Sequence, residues 1–206
     1  MQGLPGLLIL MLVAQLLWVI GIHGNQIIKP VREPLLNAAI IANTDMVNSG
    51  ITDRSQLNII NMSYWDVYMS MGGSGVTIGL IVAIFLFGKR EDYKSVAKLS
   101  LAPGIFNINE TMTFGLPIML NPILAIPFII TPLITGSIAY FLTVIGFADV
   151  LVYAIPWTTP PILSAWLASG GSITCIITQL ICIAVSILIY IPFVIAANKQ
   201  AKAQEE

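Results

Sequence analysis

The segment LSLAPGIFNINETMTFGLPIMLN (residues 99–121) decides the fold class of this chain. It opens a run of one hundred residues, 99–198, that contains only two formal charges, Glu110 and Asp149. The whole chain of 206 residues is 57% hydrophobic and 9% charged, with a mean hydropathy of +0.89, whereas a soluble domain carries about 25% charged residues. These values predict an all-α membrane protein. They exclude a soluble enzyme, a nucleic-acid-binding protein and a disordered tail.

Four segments are apolar and long enough to cross a membrane, which takes about 20 mostly apolar residues. The first begins almost at the start of the chain, and neither a basic n-region nor a small-residue cleavage site marks it as a signal peptide. Cys175 and Cys182 lie within the fourth, where we expect them to pack as small hydrophobic side chains, so no metal site or cofactor is predicted. The predicted spans are residues 3–22, 71–87, 122–147 and 172–197.

Two further apolar segments, residues 99–121 and 150–171, are interrupted too often by Pro and Gly to cross as single helices. Irregular backbone inside a membrane must be buried in protein or line an aqueous cavity, because each unsatisfied N–H or C=O group costs several kcal/mol. We therefore predict two re-entrant hairpins within one membrane domain, residues 1–206. Interrupted segments of this kind indicate the substrate site of a transporter.

Residues 24–70 are the most polar part of the chain. Pro34 and the apolar residues after it predict a short amphipathic helix. The pattern Asp53-x-x-Gln56 resembles a capping box that starts another helix. We expect this region to be an interfacial connector that lies along the membrane face, rather than a separate domain.

The basic residues predict the orientation of the chain. They cluster after the second and fourth spans, and the loop between the third and fourth spans has none. The positive-inside rule places those ends in the cytoplasm of a bacterial cell, so this multi-pass chain has both termini in the cytoplasm. Lys29 and Arg32 then fall on the outer side, and they receive less weight because they belong to a long mixed-charge stretch. The basic clusters are Lys89, Arg90, Lys94 and Lys98, then Lys199 and Lys202.

Glu110 is the leading candidate for chemistry, because an ionised carboxylate within a membrane costs about 2.5–3.5 kcal/mol on insertion scales. It lies between Asn107, Asn109 and Thr111, with helix-breaking residues on both sides, which predicts a hairpin tip that faces a polar cavity. Such a carboxylate accepts hydrogen bonds from two sugar hydroxyls. It can also act as a base toward a hydroxyl that attacks phosphorus. The alternative is a structural carboxylate that pairs with Lys94 or Lys98.

Three other positions are candidates for ligand contact. His23 is the sole histidine, and flanking glycines let a ligand come close; the alternative is an interfacial histidine bonded to a carbonyl. Trp18, five residues earlier, either packs or offers its face to a sugar ring. Trp157 and Thr158 fall at the tip of the second hairpin, where hydroxyls and backbone bind a polar ligand or satisfy each other. No nucleophile–base–orienter set is present, so a self-contained hydrolase is not supported.

Four motifs follow one another along the chain: GIHG (21–24), GGSG (72–75), the series PGIFNINE, FGLP and LNP (103–122), and PWTTPP (156–161). Together they resemble the membrane subunit IIC of bacterial phosphotransferase systems, in the lactose, cellobiose and diacetylchitobiose branch. The resemblance covers nearly the whole chain but only the carboxyl-terminal half of the family's length. Where the family usually has Pro after the motif Glu, this chain has Thr111, so we expect a modest change in hairpin geometry.

The resemblance implies a homodimeric sugar permease subunit in the lipid bilayer that takes up a β-linked disaccharide. The subunit presents the 6-hydroxyl of the sugar to a phosphocysteine on a separate cytoplasmic IIB protein. The implied partners are therefore the disaccharide and phosphorylated IIB, with no nucleic acid. Glu110 takes the place of the family's Glu near the reacting hydroxyl and His23 that of its pocket His, while Trp18 and Trp157 complete the pocket. The predicted substrate-binding set also includes Asn107, Asn109 and Thr158.

Two other functions stay open at this point. An ion-coupled sugar transporter would use Glu110 as a proton carrier and would not phosphorylate its substrate. A split or non-functional half of a IIC permease is the second alternative. Whether the chain is itself an enzyme is open, because the phosphocysteine donor belongs to the IIB partner.

Overall fold

The computed structural model describes residues 3–51 and 53–205, and within them the chain is helical with no β-strand. The predicted all-α class is confirmed. Three short 3₁₀ turns, at Arg54–Gln56, Ser74–Val76 and Ile118–Leu120, interrupt the helices. The α-helices in the described residues are α1 (Leu4–Val19), α2 (Gly24–Asn48), α3 (Met62–Met69), α4 (Thr77–Phe87), α5 (Glu91–Ile105), α6 (Glu110–Gly115), α7 (Pro122–Val144), α8 (Leu163–Ser169) and α9 (Ile173–Glu205).

Three helical stretches in the described residues are long and apolar enough to cross a membrane: Met62–Phe87, Pro122–Val144 and Ile173–Gln200. They match three of the predicted spans, although the first starts earlier than predicted because α3 and α4 together form one interrupted stretch. The remaining predicted span, the first (residues 3–22), contains α1. This helix has 16 residues, about 24 Å at 1.5 Å per residue, which is shorter than a hydrocarbon core of about 30 Å.

The polar region after α1 forms one helix of 25 residues, α2, in place of the short amphipathic helix predicted from Pro34. Pro30 and Pro34 both lie inside it. The start of α2 is pressed against α1, because a Cβ on Gly24 would lie 1.9 Å from the carbonyl oxygen of Ala14. Only glycine permits this approach, so the motif that contains His23 is fixed against the first helix.

The prediction that a helix begins at Asp53 is wrong. The Asp53 carboxylate accepts a hydrogen bond from the Ser55 N–H at 2.9 Å, but only a single 3₁₀ turn follows. The chain then docks onto α2, where the Asn58 N–H donates to Asn43 Oδ1 at 2.8 Å. The backbone leaves the helical conformation at this contact. The next helix, α3, begins only after its N-cap residue, Asn61.

The two segments predicted as hairpins both fold back on themselves. In the first, α5 begins at Glu91, before the predicted boundary, and a tight turn joins it to α6. In the second, an irregular chain leads to α8, and the N–H groups of Val152 and Tyr153 both donate to the Ala168 carbonyl at 2.8 and 3.0 Å. Their entry into a membrane stays a prediction.

The ends of α4 and α9 lie together. The Lys89 N–H donates to Asn198 Oδ1 at 2.9 Å, and Asn198 Nδ2 donates to the Phe87 carbonyl at 2.9 Å. The basic cluster that begins at Lys89, after α4, and the basic residues in the last turns of α9 are therefore at the same end of the molecule. Which side of the membrane this end faces stays a prediction.

Candidate functional site

Asn107 ties the two hairpins to each other and to the break between α3 and α4. Its Nδ2 donates to the carbonyls of Trp157 at 2.7 Å and Thr159 at 3.1 Å, and its Oδ1 accepts from the Gly72 N–H at 2.9 Å. The residue has φ +63°, a left-handed conformation that Asn adopts more readily than most side chains. One amide therefore brings three irregular segments to the same place.

Asn109 fastens the first hairpin from the other side of the turn. Its Nδ2 donates to the Ser74 carbonyl at 3.1 Å and to Thr113 Oγ1 at 3.0 Å. The neighbouring Gly73 is needed for this approach, because a Cβ there would lie 2.7 Å from the Asn109 side chain. Asn25 Nδ2 donates to Ser74 Oγ at 2.9 Å and connects α2 to the same point.

A cavity of about 310 Å³ opens where these segments meet α2 and α3. Five of the seven predicted substrate-binding residues line it: His23, Asn107, Asn109, Glu110 and Trp157. Residues that are separated by as many as 134 positions in the sequence, from 23 to 157, thus converge on one space.

Glu110 and His23 lie next to each other in the lining of the cavity. Glu110 Oε1 lies 3.6 Å from His23 Nε2, and the two side chains are 48% and 40% exposed. This distance exceeds that of a direct hydrogen bond, so a hydroxyl oxygen about 2.8 Å from both atoms can bridge them. Lys94, the alternative partner considered for Glu110, pairs instead with Glu91 at 2.9 Å.

Trp18 and Thr158 are not among the described residues that line the cavity. Trp18 is 1% exposed, and its ring centroid lies 4.3 Å from that of His23, so it supports the imidazole from behind. Thr158 lies between Trp157 and Thr159, whose carbonyls both accept hydrogen bonds from Asn107. Trp157, by contrast, is 55% exposed and lines the cavity. Direct contact of these residues with a substrate stays a prediction.

Four charged residues from the polar region also line the cavity, although the sequence analysis assigned that region to a connector. Lys29, Arg32 and Glu33 project from α2, and Asp66 from α3. Glu33 Oε1 lies 3.7 Å from Lys29 Nζ and 3.6 Å from Arg32 Nη2. The helical spacing of positions 26, 29 and 33 could have indicated that Lys29 and Glu33 share a polar face of α2, whereas no such spacing indicates Arg32 or Asp66.

Arg32 is held firmly in this wall. It is 7% exposed, and its guanidinium lies over the Trp65 ring at 5.0 Å from the centroid. Burial lowers the pKa of Arg32, while the carboxylates of Asp66 and Glu33 act in the opposite direction. The arginine remains charged, because its ordinary pKa lies far above neutral pH.

Several polar atoms around the cavity have no hydrogen-bond partner among the described residues. They belong to four lining residues and are His23 Nδ1, Asn25 Oδ1, Arg32 Nε and Ser70 Oγ. Buried polar atoms normally find a partner in the protein, in water or in a ligand. Within residues 3–51 and 53–205, no group of three or more His, Cys, Asp or Glu side chains is arranged to hold a metal ion.

Comparison with known families decides the identity. Residues 1–132 match the family described as Phosphotransferase system, EIIC, which is more than half of the 206-residue chain. The chain belongs to this EIIC family. The resemblance inferred from the four motifs is confirmed.

Two curated relatives of this EIIC chain are IIC components named for a sugar. The cellobiose-specific EIIC component of Lactococcus lactis subsp. lactis (strain IL1403) is 39% identical over 216 residues, which cover 96% of this chain and 44% of that protein. The lichenan permease IIC component of Bacillus subtilis (strain 168) is 40% identical over 209 residues, which cover 99% of this chain and 44% of that protein.

The fold is also similar to a solved structure. The crystal structure of the transporter ChbC, the IIC component from the N,N'-diacetylchitobiose-specific phosphotransferase system, superposes with a TM-score of 0.93 at 38% identity. The match covers 99% of this EIIC chain and 47% of ChbC. The chain thus spans less than half the length of these relatives.

Proposed function

We propose that this EIIC chain forms the sugar-binding part of a phosphotransferase-system permease for a β-linked disaccharide of the cellobiose or diacetylchitobiose type. Family membership and the printed names of the relatives support the class of substrate. The observation that carries the proposal is the Glu110–His23 pair, 3.6 Å apart, in a cavity that the two hairpin tips close.

In this proposal, Glu110 and His23 bind the 6-hydroxyl of the sugar between them. The Glu110 carboxylate takes the hydroxyl proton as the hydroxyl oxygen attacks the phosphorus of a phosphocysteine on the IIB partner. The P–O bond forms, the P–S bond breaks, and the thiolate remains on IIB. Phosphoryl transfer depends mainly on positioning and charge stabilisation, which these two residues supply. Cys175 and Cys182 are fully buried and take no part.

The other predicted residues have supporting roles. Asn107 and Asn109 donate both amide hydrogens to protein groups, and Asn107 Oδ1 also accepts from the Gly72 N–H, so these two side chains act mainly by fixing the hairpin tip. Trp157 offers an exposed ring face to one pyranose ring. Trp18 supports the His23 ring against which it packs. Thr158 forms part of the tip of the second hairpin.

Phosphorylation traps the sugar on the cytoplasmic side. The product carries a negative charge that Glu110 repels, and a charged sugar does not cross lipid. We also propose that the end with the basic clusters faces the cytoplasm, where phosphorylated IIB docks. Both termini lie on that side, and two copies of the complete subunit form a homodimer.

The replacement Glu110→Gln tests the proposed base. In membrane vesicles that contain this chain, purified phosphorylated IIB and labelled cellobiose, we expect formation of cellobiose 6-phosphate to fall by about a hundredfold, within the range that a lost general base produces. Glu91→Gln is the matched control, because that carboxylate lies on exposed α5 outside the cavity. Equal product formation by both variants contradicts the proposal.

The same vesicles separate the alternatives. An ion-coupled transporter would accumulate unmodified cellobiose without IIB, and a protonophore would abolish that uptake. A non-functional half would yield no product even with phosphorylated IIB. We expect product formation that requires IIB and persists in the presence of the protonophore.

A further inference from the structure

Gln179 is a polar side chain within the long apolar helix α9, and no described residue of that helix lines the cavity. We propose that Gln179 is a positioning residue for the sugar site. It fixes the turn at Ile162, where α8 begins, and through this turn it sets the place of Trp157. The inference rests on the proposed function, because the place of Trp157 matters to a ligand only if the cavity binds the sugar.

The hydrogen bonds of the Gln179 side chain connect α9 to two other parts of the chain. The residue is fully buried. Its Nε2 donates to the Val67 carbonyl at 2.8 Å and to Ser164 Oγ at 2.9 Å, and its Oε1 accepts from the Ile162 N–H at 2.5 Å. A buried amide is costly unless its polar atoms have partners, and a primary amide can both donate twice and accept. Gln179 therefore joins α9 to α3 and to the start of α8.

The backbone of Ile162 shows why this contact is needed. Ile162 has φ +75° and ψ −58°, and a β-branched residue rarely adopts positive φ. Such a conformation persists only where the surrounding structure holds it. The Ile162 side chain is exposed, so apolar packing does little to hold the turn. The Gln179 amide holds it instead, by accepting the Ile162 N–H and binding Ser164 two residues later.

A short series of turns connects Ile162 to Trp157. The Thr159 N–H donates to the Pro156 carbonyl at 2.9 Å, and the Ser164 N–H donates to the Pro160 carbonyl at 2.9 Å. Because these turns link each residue to the next few, a shift at Ile162 is passed on toward the tip of the hairpin. The exposed ring of Trp157 has little packing of its own, so its place in the cavity follows the backbone.

Equilibrium binding of labelled cellobiose to the purified full chain tests this role, because it measures both the Kd and the number of sites per chain. Gln179→Met keeps a side chain of similar length and removes all three hydrogen bonds. We expect the Kd to rise by about tenfold, the loss of one well-placed aromatic contact, while the number of sites stays the same. A residue that served stability alone would lower the number of sites and leave the Kd of the remaining chains unchanged.

A double-mutant cycle with Trp157→Ala tests whether Gln179 acts through the ring. We expect Trp157→Ala to raise the Kd by a similar factor. Adding Gln179→Met to it should then change the Kd by less than about twofold, because the effects of two residues that act through one contact do not add.

Thr178→Val is the matched control. Thr178 is the neighbouring residue in α9 and is also fully buried, but its hydroxyl donates to the Thr174 carbonyl within the same helix. The Kd should therefore stay unchanged. Ser164→Ala is a milder second variant that removes one partner of Gln179, and it should raise the Kd by about threefold.

The possible results separate this inference from the proposed function. An unchanged Kd in Gln179→Met, or a further tenfold loss when it is added to Trp157→Ala, overturns the positioning role while the proposed function stands. If Gln179→Met does not yield folded protein, Ser164→Ala decides, and a Kd equal to that of Thr178→Val overturns the role. If the unaltered chain shows no saturable binding, the proposed function fails, and this inference fails with it.

Discussion

Asn107 determines the shape of the candidate site more than any residue that faces the ligand. Both of its amide hydrogens and its amide oxygen bind backbone groups of two other segments, the tip of the second hairpin and the break between α3 and α4. A side chain that only donates or only accepts cannot make this set of contacts. The hairpin tips that carry Glu110 and Trp157 thus depend on one side chain between them.

Asn107→Asp tests the hydrogen-bonding role of Asn107, because the two side chains have nearly the same size and shape. The replacement keeps the acceptor for the Gly72 N–H but puts a carboxylate against the carbonyl oxygens of Trp157 and Thr159. We expect the free energy of unfolding to fall by about 2 kcal/mol or more, because buried groups left unsatisfied cost roughly 1–3 kcal/mol each. Thermal unfolding of the purified chain measures this change.

The matched control is Asn48→Asp, on the exposed end of α2. It introduces the same charge away from the hairpins and should leave the unfolding temperature nearly unchanged. Similar losses in both variants would mean that the added charge, and not the position of Asn107, causes the effect.

The sequence indicated Glu110 as a candidate for a physical reason. A carboxylate in a broken apolar segment is costly unless it faces a polar space, so its function shows in the sequence. Arg32 and Asp66 escaped notice, because charges in a polar stretch are ordinarily solvated. Their convergence on the cavity depends on how α2 packs beside α3, which local pattern does not specify.

At the scale of elements, the contact between α1 and α2 positions His23. Gly24 lies at the closest point of this contact, and His23 precedes it at the start of α2. Three of the four predicted spans were recovered, because they rest on length and composition. The predicted helix at Asp53 failed, because the competing contact between Asn58 and Asn43 is long-range and leaves no local pattern.

Gly24→Ala should push α2 away from α1. The new Cβ would meet the Ala14 carbonyl, and overpacking of this kind typically costs 1–3 kcal/mol. We expect a lower unfolding temperature and cellobiose binding that is weaker by about tenfold, since His23 would move relative to Glu110. Both are measured on the purified chain, the second by equilibrium binding.

Gly3→Ala is the control for the added methyl group. A Cβ at Gly3 would have only an ordinary contact with Pro5, at 3.7 Å. Unchanged stability and binding are expected for it. If Gly24→Ala behaves like Gly3→Ala, the close approach of α1 and α2 does not position His23.

On the scale of the whole molecule, apolar side chains face outward and polar side chains converge inward. Leu99, Ile145 and Ile20 are each at least 70% exposed, whereas four charged residues of α2 and α3 line the cavity: Lys29, Arg32, Glu33 and Asp66. This distribution suits a chain surrounded by lipid or by further protein. The described residues therefore provide a hydrophobic scaffold around one polar site.

The central claim is that the cavity between the hairpin tips binds a disaccharide in this chain, which spans less than half the length of its relatives. Equilibrium binding of labelled cellobiose to the purified chain tests it most directly. We predict saturable binding that unlabelled cellobiose displaces, that Glu91→Gln retains and that Glu110→Gln weakens by about tenfold or more. Absence of saturable binding, or equal affinity in both variants, would contradict the account.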